Sequence, residues 1–191
     1  VVACNADGTT QTAVESCGGI CVAGECQAAD PCTFADKEYL GCDFWATYLD
    51  NEARGLGFAV SVSNPGRSSV RVTVTQGSSA PLFDGTVAGG DLTLINLGAV
   101  TQLDGTGISN AAYRIQADGP VTVHQFNPPN NLVAGYSNDA SLLLPANALG
   151  TQYRVMAYYS GDDLATFARL SARWYVTIVA SAPGTTEITV T

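Results

Sequence analysis

From about residue 39 onward, apolar residues recur at every second position, and each such run ends on a turn-forming string. Phe58-Ala59-Val60-Ser61-Val62-Ser63 and Val70-Arg71-Val72-Thr73-Val74-Thr75 show the pattern. Leu92-Thr93-Leu94-Ile95, Tyr113-Arg114-Ile115, Val121-Thr122-Val123, Tyr153-Arg154-Val155 and Tyr175-Val176-Thr177-Ile178-Val179 continue it. Successive side chains of a strand point to opposite faces, so this rhythm marks a sheet with one buried face; an amphipathic helix repeats every three to four residues instead. Between the runs stand Asn64-Pro65-Gly66, Asp84-Gly85, Gly89-Gly90, Asp104-Gly105, Asp118-Gly119-Pro120, Asn127-Pro128-Pro129 and Ala182-Pro183-Gly184. Gly reaches positive φ, Pro presets φ, and Asn and Asp bond their own backbone, so each string predicts a turn. Short β-branched and aromatic strands closed by turns predict an all-β fold, an antiparallel β-sandwich of Greek-key or jelly-roll kind. Helix is confined to one turn at Pro145-Ala146-Asn147-Ala148-Leu149 and a short segment at Asp162–Phe167 with an Asp cap.

Cysteine divides the chain differently. Cys4, Cys17, Cys21, Cys26, Cys32 and Cys42 all lie at the start, and none follows. An even count in a short Gly-rich stretch with little to bury reads as a disulfide module, predicted over residues 1–38 ahead of a sandwich over 39–191. Cys32 and Cys42 flank Tyr39-Leu40-Gly41 and make a plausible local pair, while the other pairings stay open. The competing zinc site has Cys17-x3-Cys21-x4-Cys26 in its favour, but no His lies nearby and no second knuckle accompanies it. Disulfides place the chain in an oxidising compartment, and a secreted chain starting Val1-Val2-Ala3 would already have lost its leader.

Ser63-Asn64-Pro65-Gly66 leading into Val70–Thr75 is echoed by Ser181-Ala182-Pro183-Gly184 leading into Glu187-Ile188-Thr189-Val190-Thr191. Two related β units, the second beginning near residue 175, account for the echo. Glu187–Thr191 would then be a strand short of partners, suited to addition onto a neighbouring subunit.

Chemistry is harder to find. Only 13% of residues are charged and the net charge is −9, so nucleic acid and anionic lipid are poor partners. No run of about eighteen apolar residues suggests membrane insertion. The sole histidine, His124, shares a strand face with Thr122 and Phe126 and reads as a packed or hydrogen-bonded residue. No Gly-x-Ser-x-Gly elbow occurs. Asp43, Asp50, Glu52, Asp139, Asp162 and Asp163 are the candidates for paired carboxylates, but linear spacing does not supply the separation that glycoside hydrolysis needs. Asp50-Asn51-Glu52 and Asn138-Asp139 are better suited to a structural calcium ion, which makes Asp50, Asn51 and Asp139 the candidate ligands; no other cofactor is implied. The lone Lys37 reads as a surface charge. Most aromatics read as core, and the adjacent pair Tyr158 and Tyr159 as the surface candidates, because neighbours on a strand face opposite ways.

Several strings resemble the N-terminal region of the IgGFc-binding protein family, which includes large secreted bacterial proteins. They are Tyr39-Leu40-Gly41-Cys42-Asp43-Phe44-Trp45, Ser63-Asn64-Pro65, Gly105-Thr106-Gly107-Ile108-Ser109-Asn110, Asp118-Gly119-Pro120-Val121, Gln125-Phe126-Asn127-Pro128 and Ser137-Asn138-Asp139-Ala140-Ser141-Leu142-Leu143-Leu144-Pro145. Cys4-Asn5-Ala6-Asp7-Gly8 with Cys17, Cys21 and Cys26 is similar to the cysteine-rich modules that precede that region in bacterial members. The resemblance implies an extracellular or cell-surface β-rich module without catalytic activity, binding a protein or glycan in adhesion. A second expectation is a structural subunit of an extracellular filament, joined to copies of itself by strand addition or by docking of the cysteine-rich head. A calcium-dependent carbohydrate-active protein is the third.

Overall fold

The computed structural model describes residues 2–4, 11–13, 20–22, 25–27, 32, 39–50, 55–98, 100–129, 139–156 and 175–191, with side chains from residue 32 onward. Two small antiparallel hairpins open the chain: β1 (Val2–Cys4) with β2 (Gln11–Ala13), and β3 (Ile20–Val22) with β4 (Glu25–Gln27), where Cys21 lies opposite Cys26 in the backbone register. Seven further strands form one antiparallel sheet: β5 (Gly41–Thr47), β6 (Phe58–Ser63), β7 (Val70–Gln76), β8 (Phe83–Val87), β9 (Leu92–Gly98), β10 (Ala112–Asn127) and β11 (Asp139–Leu142). The fold is therefore all-β, as the alternation requires. The one turn of helix foreseen near residue 146 is a short 3-10 turn, Ala146–Ala148.

The sheet becomes a sandwich because its strands bend at one level. The first half of β10 lies between β7 and β5, and its second half lies between β6 and β11. Ascending β10, the partners descend from Gln76 to Val72 on β7 and then from Ser63 to Ala59 on β6, so β6 and β7 act as one long strand with a corner between them. On the far side, β8 pairs with β7 and β9 with β6 in the same way. Three corners, at 64–69, 88–91 and 118–120, thus line up across the ribbon and fold it into two facing layers, β8–β7–β10–β5 and β9–β6–β10–β11, as in a jelly roll.

The core fills the space between the layers. Phe44 and Ala46 of β5, Val72 and Val74 of β7, Tyr113 and Ile115 of β10 meet Val60 and Val62 of β6, Val121 and Val123 of β10 and Ile95 of β9. At the end away from the corners, Phe58 stacks on Tyr48 with ring centroids 5.4 Å apart and tilts against Tyr113 at the same distance. Hydrogen bonds close that end: the buried Thr47 amide donates to Gln125 Oε1 (3.1 Å), the Leu103 amide to the Tyr48 carbonyl (2.9 Å), and the half-buried Gln102 Nε2 to the Leu49 carbonyl (3.2 Å). At the corner end, the Cys32–Cys42 disulfide joins the head to β5, and Cys32 Sγ lies 3.9 Å from the Ala117 carbonyl.

Asn64 holds the corners together. It is 1% exposed. Its amide donates to the Asp91 carbonyl (3.0 Å), and its own carbonyl accepts from Gly90 (2.9 Å). Its side-chain Nδ2 donates to the carbonyls of Ser68 (2.8 Å) and Val87 (3.0 Å), and its Oδ1 accepts from the Gly66 amide (2.9 Å). One residue thereby fastens the 64–69 corner to the 88–91 corner. Gly89 fits beneath only because it lacks a Cβ, which would run into the Arg67 backbone.

Four features depart from the sequence expectations. Asp118-Gly119-Pro120 does not end a strand: β10 runs through it, because Asp118 Oδ1 takes the Arg71 amide (2.8 Å) where the ladder to β7 is interrupted, and Pro120 sits where the register to β5 shifts. Asp84-Gly85 lies inside β8 rather than at a turn, with Asp84 paired to Arg71 on the neighbouring strand. Tyr153–Val155 and Tyr175–Val179 are not strands, having no ladder partner among the described residues. Tyr39, Tyr153 and Tyr175 are exposed rather than core, since each lies outside the folded ribbon.

Two expected outcomes follow for stability. Asn64→Ala leaves the buried Val87 carbonyl, and the partly buried Ser68 carbonyl and Gly66 amide, without their partner, and should cost roughly 1–3 kcal/mol in urea unfolding with an unchanged slope. Asn64→Asp, whose carboxylate cannot donate to Ser68 and Val87, should be no better. Cys32→Ser with Cys42→Ser opens a loop of sequence separation 10 and should lower unfolding free energy by roughly 2.5 kcal/mol, an effect reproduced in the parent chain by reductant.

Candidate functional site

Each layer turns one face outward, and the two differ. On β8–β7–β10–β5 the outward positions are Asp84 and Thr86, Arg71, Thr73 and Thr75, Arg114 and Gln116, and Asp43 and Trp45. Arg114 and Trp45 are directly opposite, and so are Gln116 and Asp43. The Arg114 guanidinium grips Asp43 through two bonds of 2.8 and 2.9 Å, while its Cζ lies 5.5 Å from the centre of the Trp45 ring. Trp45 Nε1 is buried without a hydrogen-bond acceptor among the described residues. Arg71 grips Asp84 in the same bidentate manner, at 2.8 and 2.7 Å, and that bonding holds the Asp84 carboxyl below its ordinary range. This pair is exposed, so it orders the surface more than it stabilises the fold. A shallow depression opens between the two ion pairs, lined by Arg71, Thr73, Gln116, Ala117 and Asp118. The outward face is thus a flat array of hydrogen-bonding groups with one aromatic ring at its β5 side.

The opposite layer mixes apolar and neutral polar residues on its outside, with Ala59 and Ser61 buried there and leucines at its edges. One row across it reads Leu94, Ser61, His124, Leu142, and the next reads Asn96, Ala59, Phe126, Ala140. Leu92 and Leu94 are more than half exposed. His124 is half-buried in the middle of this face, beside Thr122 and Phe126 in the alternation, as its strand position predicts.

The third feature is the segment 175–191. Tyr175 donates its hydroxyl to the Asp50 carbonyl (2.6 Å), and burial, with the charges of Asp50 and Asp139, pushes its phenol pKa up. Beyond that anchor the chain is exposed: Ile178 and Ile188 are about half exposed and Val190 is 83% exposed. Glu187, Ile188, Thr189, Val190 and Thr191 carry no ladder to any described strand.

Other expected site residues are distributed as follows. Asp50 and Asp139 come to the same end of the sandwich, next to Tyr175; Asn51 lies outside the described residues, and no group of three or more His, Cys, Asp or Glu placed to hold a metal occurs among those described. Cys32 and Cys42 are bonded. The side chains of Cys4, Cys17, Cys21 and Cys26 lie outside the described set, as do Tyr158, Tyr159, Lys37, Glu52, Asn138 and the predicted helix at 162–167. The Arg114–Asp43–Trp45 and Arg71–Asp84 groupings escaped the sequence reading, because 71 residues separate Asp43 from Arg114 and only strand register joins them.

Comparisons with known proteins add little. No protein-family model matches the chain, and no curated protein matches it. Among solved structures, the crystal structure of Thermotoga maritima 1070 is similar over 53% of this chain and 91% of its own, at 16% identity and a TM-score of 0.33. A likeness of that size carries no functional argument.

The buried phenols make alkaline stability a probe of the site's scaffold. Burial raises the pKa of Tyr48 and Tyr113 from 10.0, outweighing the amides of Gly57 and Leu56 near the first and Gln76 near the second. Protons are held more tightly in the folded chain, so this contribution is complete below about pH 10 and is lost as pH rises through the folded values. The urea midpoint should fall above pH 10, and fall less in Tyr48→Phe.

Proposed function

We propose that this chain is a non-catalytic extracellular module that works by contact, and that its principal contact is with copies of itself: a structural subunit of a bacterial surface assembly. The observation that carries the reading is the exposed segment Glu187–Thr191, an alternating Glu-Ile-Thr-Val-Thr string with Ile188 and Val190 facing solvent and no ladder partner among the described strands. Such a string has the composition of a strand and bonds best by joining an existing sheet. The extracellular setting is supported by the Cys32–Cys42 disulfide, since such bonds persist where thiols are not kept reduced. The resemblance to the IgGFc-binding N-terminal region points to the same setting.

A second contact function is adhesion to a protein or glycan. The outward face bearing Trp45, Arg114, Asp43, Arg71 and Asp84 favours it: the Trp ring offers an apolar platform and the paired charges a rim of hydrogen-bonding groups.

Self-association is tested by light-scattering mass against concentration. The parent chain should grow in mass with concentration, and Ile188→Glu with Val190→Glu should remain monomeric while keeping its thermal transition, because both side chains lie outside the core. A parent chain that stays monomeric throughout overturns the reading.

A further inference from the structure

We infer that the acceptor for Glu187–Thr191 is the free edge of β9 in a second copy of this chain, with Ile188 and Val190 laid beside Leu92 and Leu94. This rests on the self-association proposed above and names the surface that receives the strand.

In the seven-stranded sheet, four strands have an edge without a ladder partner among the described residues: β5, β8, β9 and β11. Exposed edges invite pairing, and natural sheets blunt them with charge, short length, bulges or covering segments. Three of the four are blunted here. β5 carries Asp43, is tethered through the Cys32–Cys42 disulfide, and has the 3-10 turn against it, where Pro145 and Asn147 meet Gly41. β8 is only five residues long and carries Asp84, held by Arg71. β11 has only four residues. β9, Leu92-Thr93-Leu94-Ile95-Asn96-Leu97-Gly98, is seven residues long with no charge and no proline. Its protections lie at its two ends: Asp91 takes the Leu92 amide at the start, and the register to β6 shifts at Leu97, leaving Thr93–Asn96 between them as a stretch of edge without charge, proline or bulge.

The side chains agree with the backbone. Leu92 and Leu94 point to the outer face and are 55% and 56% exposed. Leu94 begins the row that continues through Ser61 and His124 to Leu142, and Leu92 the row that continues through Ser63 to Thr122. An added strand whose alternate residues are Ile188 and Val190 extends those rows by one position and covers both leucines. All ladders in the sheet are antiparallel, and the added strand takes the same sense. The donor comes from a different copy because Tyr175 ties the base of the segment to Asp50 of its own sandwich, while 187–191 lie past the Ala182-Pro183-Gly184 bend, exposed and without a ladder to any described strand. Addition onto the next copy leaves that copy's own segment free for a third. The contact is head-to-tail and therefore builds rings or filaments rather than closed dimers.

The test compares Leu94→Lys with the parent chain by sedimentation velocity over a range of concentrations, with Leu92→Lys as a second variant and Ser78→Lys, in the exposed β7–β8 turn, as a control. Each edge lysine should weaken association by roughly tenfold or more, corresponding to loss of about 1.4 kcal/mol of contact. Ser78→Lys should change nothing. Hydrogen exchange in the parent chain should show amides of Leu92–Gly98 and Glu187–Thr191 becoming protected together as concentration rises. If Ile188→Glu with Val190→Glu dissociates the assembly while both edge lysines leave it intact, strand addition stands and β9 is refuted as its acceptor. If none of the three dissociates it, the chain self-associates through another surface, and strand addition by 187–191 and its acceptor on β9 are both refuted. Protection of 187–191 in a concentration-independent monomer overturns the intermolecular contact and assigns the strand to its own chain.

Discussion

The sandwich depends on a hydrogen-bonded corner at Asn64. A flat antiparallel ribbon of β6–β7, β8–β9 and β10 would leave one apolar face in water; folding it across the middle buries that face against itself. The fold line must pass through three strands at once, and each interrupts its ladder there. Backbone groups freed by such an interruption are costly when buried unless something else binds them. Asn64 supplies both donors and acceptors to do so, reaching Ser68, Val87 and Gly66 with its side chain and Gly90 and Asp91 with its backbone. Asp118 performs the smaller task for the third strand by accepting the Arg71 amide.

From that line the rest of the molecule takes its orientation. Facing halves of the same strands make the core, with valines at its centre and the Tyr48–Phe58–Tyr113 stack at the open end. Folding also decides which residues become outward neighbours. The β8–β7–β10–β5 layer turns out charged pairs and a tryptophan, whereas the β9–β6–β10–β11 layer turns out leucines around His124. The segment 175–191, anchored at Tyr175 and otherwise exposed, has the complementary apolar alternation.

Much of this was legible from residue order, because burial of one sheet face forces alternation wherever a strand lies, and Val60, Val62, Val72, Val74, Tyr113, Ile115, Val121 and Val123 are all core as that alternation requires. The Cys32–Cys42 pair was legible from proximity. Other signals were read correctly as chemistry and wrongly as position. Asp118-Gly119-Pro120 and Asp84-Gly85 carry the residues of turns, yet both sit within strands, because a neighbouring Arg71 satisfies each aspartate and removes the need for a reversal. Tyr153–Val155 and Tyr175–Val179 have strand alternation without a ladder, since composition favours a strand but a second strand must be in reach to bond it.

Sequence alone therefore determined the class of the fold, the strands whose two faces differ, the Cys32–Cys42 pair and the strand-like alternation at 187–191. These are local properties: side-chain alternation, turn chemistry and cysteine spacing act over a few residues. Only the tertiary structure decided that β10 is one bent strand shared by both layers, that Asn64 fastens the corners, and that Arg114 meets Asp43 and Trp45. Only it showed that Leu92–Gly98 is an edge. Each of these depends on strand register between segments far apart in the chain, and register is set by the packing of the whole core rather than by any one stretch of residues.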